Sequence, residues 1–178
     1  MYENKSYKSA QTVIQTLTDI VSKNRNLLLN IPVKGNGSID DQEVAILEEV
    51  ATWMKVNAEC IFDTRPWKVY GEGPAISEAA PIAAQGFNEG KGKPFGPADM
   101  RFTTKGDTLY AVVFGWPDNG KVTIKSLSEG NTLRPGTINK VQLLGGGELP
   151  FKRNSEALEI MLPDNRPALA YANVLKIN

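Results

Sequence analysis

The run Leu27-Leu28-Leu29-Asn30-Ile31, closed by Pro32, decides how this chain is read. Leucines at successive positions put apolar side chains on both faces of an extended segment, the pattern of a parallel strand covered on both sides. Before it, Ala10, Val13, Ile14, Leu17, Ile20 and Val21 recur at helical spacing and predict an amphipathic helix with Ser9 as N-cap. After it, a loop from Val33 to Ile39 containing Gly35-Asn36-Gly37 leads to Asp40 or Asp41, either of which can cap a second helix. Val44, Leu47, Val50, Ala51 and Met54 form the main apolar face of that helix, extended by Ile46 and Trp53. Helix, buried strand, helix is the rhythm of an α/β unit. One parallel strand has no hydrogen-bonding neighbour of its own, so this half is physically incomplete unless other strands are supplied to it.

The chain changes character beyond Trp67. Gly71 to Ala98 is rich in glycine and proline with almost no periodic apolar signal, and reads as a long connection or binding loop. From Met100 onward, strand-like runs alternate with turns: Arg101 to Thr104, Thr108 to Trp116, Lys121 to Ser126, Thr137 to Leu144, Ala157 to Leu162 and Leu169 to Ile177. Gly106-Asp107 and Asp118-Asn119-Gly120 offer the residues that tight hairpins require. This half predicts an antiparallel sandwich. Gly145-Gly146-Gly147 is a strand-connecting turn, since no Lys-Ser or Lys-Thr pair follows it to make a phosphate loop.

Composition narrows the chemistry. At 178 residues the chain holds one good domain or a small domain with part of another, and it is too short for a whole (β/α)₈ barrel of about 250 residues. Twenty basic residues balance twenty acidic ones, which gives no overall field toward nucleic acid or an anionic membrane. Histidine is absent, so every imidazole mechanism is excluded within this chain. Cys60 is the single cysteine; it permits neither an internal disulfide nor a multi-cysteine zinc site, and beside Ile61 and Phe62 it reads as a buried thiol. No apolar run approaches the ~20 residues of a membrane helix, and Met1 to Ala10 carry no signal-peptide pattern; localisation is unknown. No cofactor and no metal site is implied.

Tyr7-Lys8-Ser9-Ala10, then Asp19 through Ile31, Gly35 through Ile39, Trp53 through Phe62, and Thr64-Arg65-Pro66-Trp67 together resemble the end of the catalytic barrel of glycoside hydrolase family 29 α-L-fucosidases. Arg101 through Gly106 and Leu109 through Val113 resemble the opening hairpin of that family's carboxy-terminal sandwich. The resemblance implies an α/β remnant, the last βα units of a (β/α)₈ barrel, over residues 1–70. It further implies a Gly/Pro-rich connection over 71–99 and an all-β antiparallel sandwich over 100–178, with the missing barrel segment expected before Met1. Arg25 and Ala58 stand where the family usually has glycine, and an arginine at positive φ would cost on the order of 1 kcal/mol.

For such an enzyme the implied chemistry is retaining hydrolysis of terminal α-L-fucose from glycans, with an aspartate nucleophile and a second carboxyl group both upstream. No catalytic residue is therefore expected in this chain. Asp40-Asp41 and Glu48-Glu49 read as capping and solvated charges, and Glu72 and Glu78 as parts of a solvated loop. Because the carboxyl ends of barrel strands face the active site, Asn30 and the loop to Lys34 are the candidate substrate-binding residues, although Asn30 can equally tie down the turn at Pro32. Trp53, Arg65 and Trp67 are expected at the interface between barrel and sandwich, and Trp116 ends a strand. The implied partners are a fucosylated glycan and the missing barrel segment, with no nucleic acid and no membrane. The alternative is a non-catalytic carbohydrate-binding or accessory β-sandwich module; a structural role in completing a barrel from another polypeptide is a third.

Overall fold

In the computed structural model, residues 7–78 and 94–178 are described. The order is α1 (Ala10–Ser22), α2 (Asp41–Asn57), β1 (Arg65–Glu72), α3 (Pro74–Ser77), β2 (Met100–Lys105), β3 (Thr108–Val113), β4 (Lys121–Ile124), β5 (Val141–Leu143), β6 (Gly147–Glu148), β7 (Phe151–Arg153), β8 (Leu158–Met161) and β9 (Asn173–Ile177). The strands form a six-stranded sheet in the order β1-β2-β3-β9-β5-β6 and a three-stranded sheet in the order β4-β8-β7, every pair antiparallel. A short α/β remnant followed by an all-β sandwich describes this architecture.

Alternation in the central strands explains the layering. In β3, Leu109, Ala111 and Val113 point between the two sheets, where they meet Phe102, Ile124, Leu158, Ile160, Leu175 and Ile177. Tyr110 and Val112 point the other way, into a second cluster with Ile14, Trp53, Cys60, Ile61, Phe114 and Val174. The outer face of the larger sheet is thus covered by α1, α2 and the turn after α2, which makes three layers. β3 is buried on both faces for this reason, and its nearly unbroken apolar run follows from it.

Ser9 caps α1 by accepting the Thr12 N–H at 3.1 Å, and Asp40, not Asp41, caps α2 by accepting the Gln42 N–H at 2.9 Å. The end of α1 is a Schellman turn: the Arg25 N–H reaches the Ile20 carbonyl and the Asn24 N–H that of Val21. The residue at positive φ is Asn24 (58°), which spares Arg25 the expected strain, because asparagine tolerates the left-handed region. In α2 the inward stripe is Ile46, Val50, Trp53 and Asn57, with Trp53 and Asn57 buried, while Ala51 and Val44 are exposed. Trp53 is the anchor of that helix, not an extension of its face.

The largest departure concerns Leu27 to Ile31. The segment is not a strand, and among the described residues no strand pairs with it. Leu28 is 93% exposed. The reason is physical: a parallel strand needs neighbours on its edges and cover on its faces, and none of the described strands lies beside it. Conversely, Arg65–Glu72 is a strand absent from the periodicity, because Pro66 and Gly71 interrupt its pattern; a bulge between these two residues breaks the register with β2. Asp118-Asn119-Gly120 does turn the chain, but it carries it from one sheet to the other instead of making a hairpin.

Candidate functional site

Between α1 and α2 lies a cleft of about 360 Å³ whose wall is the segment from Leu27 to Pro32. Val13 and Thr16 of α1 and Glu43, Ile46 and Leu47 of α2 form its other sides, with Tyr7 and Lys8 at one end. Both helices are held by the sandwich beneath them, so the cleft is rigidly floored while its leucine wall stands open to solvent. Asn30 lines it and is exposed, leaving its amide accessible from solvent. Lys34 does not line it. The backbone of Lys34 closes a turn in which its N–H reaches the Ser38 carbonyl at 2.8 Å and its carbonyl accepts from Gly37, and its ammonium lies 4.0 Å from the Asp40 carboxylate. Glu43 is the one carboxylate among the described residues lining the cleft, and its Oε2 is buried without a hydrogen-bond partner. A retaining glycosidase needs two carboxyl groups about 5–5.5 Å apart, and the described residues lining this cleft hold one.

The expected interface residues separate. Trp53 is 2% exposed and donates its indole N–H to the Ala172 carbonyl at 2.7 Å, pinning α2 to the loop before β9. Arg65 stays at the surface and donates to the Thr64 carbonyl. Trp67 turns to the opposite side of the sheet, into the core between the sheets, where it meets Phe102 edge to face at 5.1 Å. Trp116 is half-buried against that same core. Glu72 accepts the backbone N–H groups of Lys125 and Ser126 at 2.9 and 2.6 Å, tying the end of β1 to the turn after β4. Glu49 accepts the Tyr171 hydroxyl, which pushes that phenol's pKa up.

What periodicity did not single out is the ion pair under α1. Arg101 of β2, 2% exposed, donates its Nε–H to the Asp19 carboxylate at 2.5 Å. The faces of Phe95, Phe114 and Tyr70 surround its guanidinium at 4.9, 5.4 and 5.7 Å. The other Asp19 oxygen accepts from Lys23 at 2.8 Å. Room for the arginine exists because residue 71 is glycine: a Cβ there would lie 2.3 Å from the Met100 carbonyl and 2.9 Å from Arg101 Cδ. A charged residue in a strand otherwise buried on both faces was the available signal.

A second polar clamp holds the turn after α2. Lys176 and the Tyr110 hydroxyl both donate to Glu59 Oε2, at 2.9 and 3.1 Å, and the Lys176 bond holds the Glu59 carboxyl below its ordinary value. Burial, with the Glu59 charge added, pushes the Tyr110 phenol up to about 12. Cys60 beside it is fully buried and burial pushes its thiol up, which leaves it no nucleophilic character near neutrality. Among the described residues no group of three or more cysteine, aspartate or glutamate side chains is arranged to hold a metal, and no helix is long and apolar enough to cross a membrane.

Helices on one face of a sandwich, with an open apolar wall beyond them, call for comparison with known proteins. The family model for α-L-fucosidase matches residues 1–59, and that for the α-L-fucosidase C-terminal domain matches residues 96–178. The chain belongs to the α-L-fucosidase family. It is similar to the tissue α-L-fucosidase of Mus musculus, with 29% identity over 163 residues, covering 88% of this chain and 29% of that protein. The tissue α-L-fucosidase of Homo sapiens is 28% identical over 162 residues, covering 88% and 28% respectively. The crystal structure of Thermotoga maritima α-fucosidase superposes with a TM-score of 0.70 at 25% identity, covering 98% of this chain and 36% of that one. The chain thus spans less than a third of the length of these curated α-L-fucosidases and corresponds to their carboxy-terminal part.

Proposed function

We propose that this chain supplies the closing elements of the barrel and the sandwich of an enzyme that hydrolyses terminal α-L-fucose from glycans with retention, and that alone it is inactive. The observation that carries this reading is the leucine run: Leu28 and Leu29 are 93% and 38% exposed on a segment flanked by two helices already docked on the sandwich. Pairing with further strands would bury those leucines and give the segment its missing ladder. In the assembled barrel Asn30 would sit at the carboxyl end of that strand, where its amide bonds a sugar hydroxyl, with Lys34 in the loop beyond. The partners are accordingly the remaining barrel segment and a fucosylated glycan, and the working carboxylates come from that segment.

The test is release of p-nitrophenol from p-nitrophenyl α-L-fucoside. It compares this chain alone with the same chain joined in frame to the coding sequence upstream of it. No turnover from the chain alone and turnover from the joined protein are expected. Turnover by the chain alone that disappears on Glu43→Gln overturns the proposal, as does an upstream frame that encodes no barrel strands.

A further inference from the structure

Glu43 stands in the first turn of α2, three residues after the cap Asp40. A glutamate so placed ordinarily reaches back to the N–H of the capping residue and closes a box of two mutual hydrogen bonds. Here it closes none. Its Oε2 is buried with no hydrogen-bond partner, the one side-chain oxygen or nitrogen among the described residues in that state. No lysine or arginine of the described residues forms an ion pair with it, although Lys8 borders the same cleft. The positive end of the helix dipole favours a carboxylate in this turn but brings no donor to a buried oxygen. Buried polar groups are nearly always bonded, so this exception calls for a partner from outside the described residues.

The surroundings define what that partner is. The cleft of about 360 Å³ that Glu43 borders is walled mostly by apolar side chains: Val13 of α1, Leu27, Leu28 and Leu29 of the segment between the helices, and Ile46 and Leu47 of α2. Its leucine wall stands open, with Leu28 93% exposed. Apolar walls around one carboxylate match a long side chain that has an aliphatic stem and a cationic head. A neutral donor would satisfy the oxygen but leave the charge unmatched, and Asp41 in the same turn adds to that negative charge.

We infer that Glu43 is the docking point for a lysine or arginine side chain carried by the barrel segment that pairs with Leu27 to Ile31, its stem against the leucine wall and its head on the carboxylate. The inference rests on the reading of this chain as the closing part of a barrel, and adds to it the chemistry of the partner at one named position.

The experiment compares wild type and Glu43→Gln, in this chain alone and in the chain joined in frame to its upstream segment. Glutamine keeps an acceptor oxygen for a neutral donor but gives no charge to a cation. Urea unfolding is followed by intrinsic fluorescence in both forms, and in the joined protein also by turnover of p-nitrophenyl α-L-fucoside. In the chain alone the unfolding constant should change by less than about fivefold, the size of a helix-dipole contribution. In the joined protein it should rise about a hundredfold, because a buried cation then loses its carboxylate. A joined protein that turns over substrate, yet whose constant changes less than about tenfold more than that of the chain alone, overturns the docking point and leaves the barrel reading standing. A loss in the chain alone as large as that in the joined protein also overturns it, since the partner would then lie within this chain. A joined protein without turnover removes the barrel reading and the docking point with it.

Discussion

Removing the Asp19 carboxylate tests the physical link between α1 and the sandwich. Asp19→Ala leaves the Arg101 guanidinium, 2% exposed, with one acceptor on its own strand, the Met100 carbonyl at 2.9 Å, and with three aromatic faces. Breaking a buried pair by deleting one partner costs about 3–5 kcal/mol. Two features move the expectation to the lower end. Asp19 is itself 19% exposed, so water can enter the vacated space, and the aromatic faces retain part of their attraction for the cation. The exposed i,i+4 bond to Lys23 adds only about 0.3–0.5 kcal/mol. The expected loss is therefore about 3 kcal/mol, or a fall in Tm of about 6–12 °C for a chain of this size. Urea unfolding of wild type, Asp19→Ala, Arg101→Met and the double variant measures it. Because the double variant removes both charges and leaves an apolar chain of similar volume among the aromatic rings, it should be more stable than Asp19→Ala alone. Hydrogen exchange should accelerate first in α1. A loss below about 1 kcal/mol in Asp19→Ala, or a double variant no better than that single one, would refute the account of α1 as held by a buried charge pair.

Three further outcomes follow from the same geometry. Gly71→Ala drives a Cβ against the Met100 carbonyl at 2.3 Å, so β1 must part from β2; a loss of about 1–3 kcal/mol in urea unfolding is expected, and a neutral variant would contradict the close approach. Leu28→Lys should leave the stability of the isolated chain within about 0.5 kcal/mol because the side chain is 93% exposed, yet abolish activity in the protein joined to the upstream segment; a large loss in the isolated chain would mean that the leucine wall is already buried. Since Lys176 depresses the Glu59 pKa from its ordinary 4.5, the contribution of Glu59 is complete above that value and fades as pH falls through the lower folded value. Glu59→Gln should flatten the acid limb of Tm against pH below about 4.5, and an unchanged limb would remove the clamp from the account.

The elements that the chain could announce for itself are those completed by their own neighbours in sequence. Ser9 and Asp40 sit at caps because a hydroxyl or carboxylate one position before an apolar-periodic run satisfies a free amide locally. The Gly106 turn joins β2 to β3 for the same kind of reason. What stayed hidden depends on residues far apart. β1 is a strand because β2 lies beside it, and its own pattern is broken by Pro66 and Gly71. Arg153 organises a loop some twenty positions earlier through carbonyls, which leave no mark in residue type. Trp67 and Trp53 look alike in sequence but fall on opposite faces of one sheet, because the side a residue takes in β1 is set by the register with β2.

The leucine run and the Arg101 cage bear on each other. Arg101 and Asp19 fasten α1 to the sheet, and Trp53 fastens α2 through the Ala172 carbonyl, so the two helices keep their spacing without the segment that joins them. The segment from Leu27 to Pro32 is therefore displayed between fixed supports instead of collapsing onto them, despite the apolar area it exposes. A wall held open in this way loses little further chain entropy when strands pair with it, since its ends are already placed. On the function proposed above, the sandwich would act as a scaffold that positions the last part of a barrel, with its own polar clamps, not the leucines, setting that position.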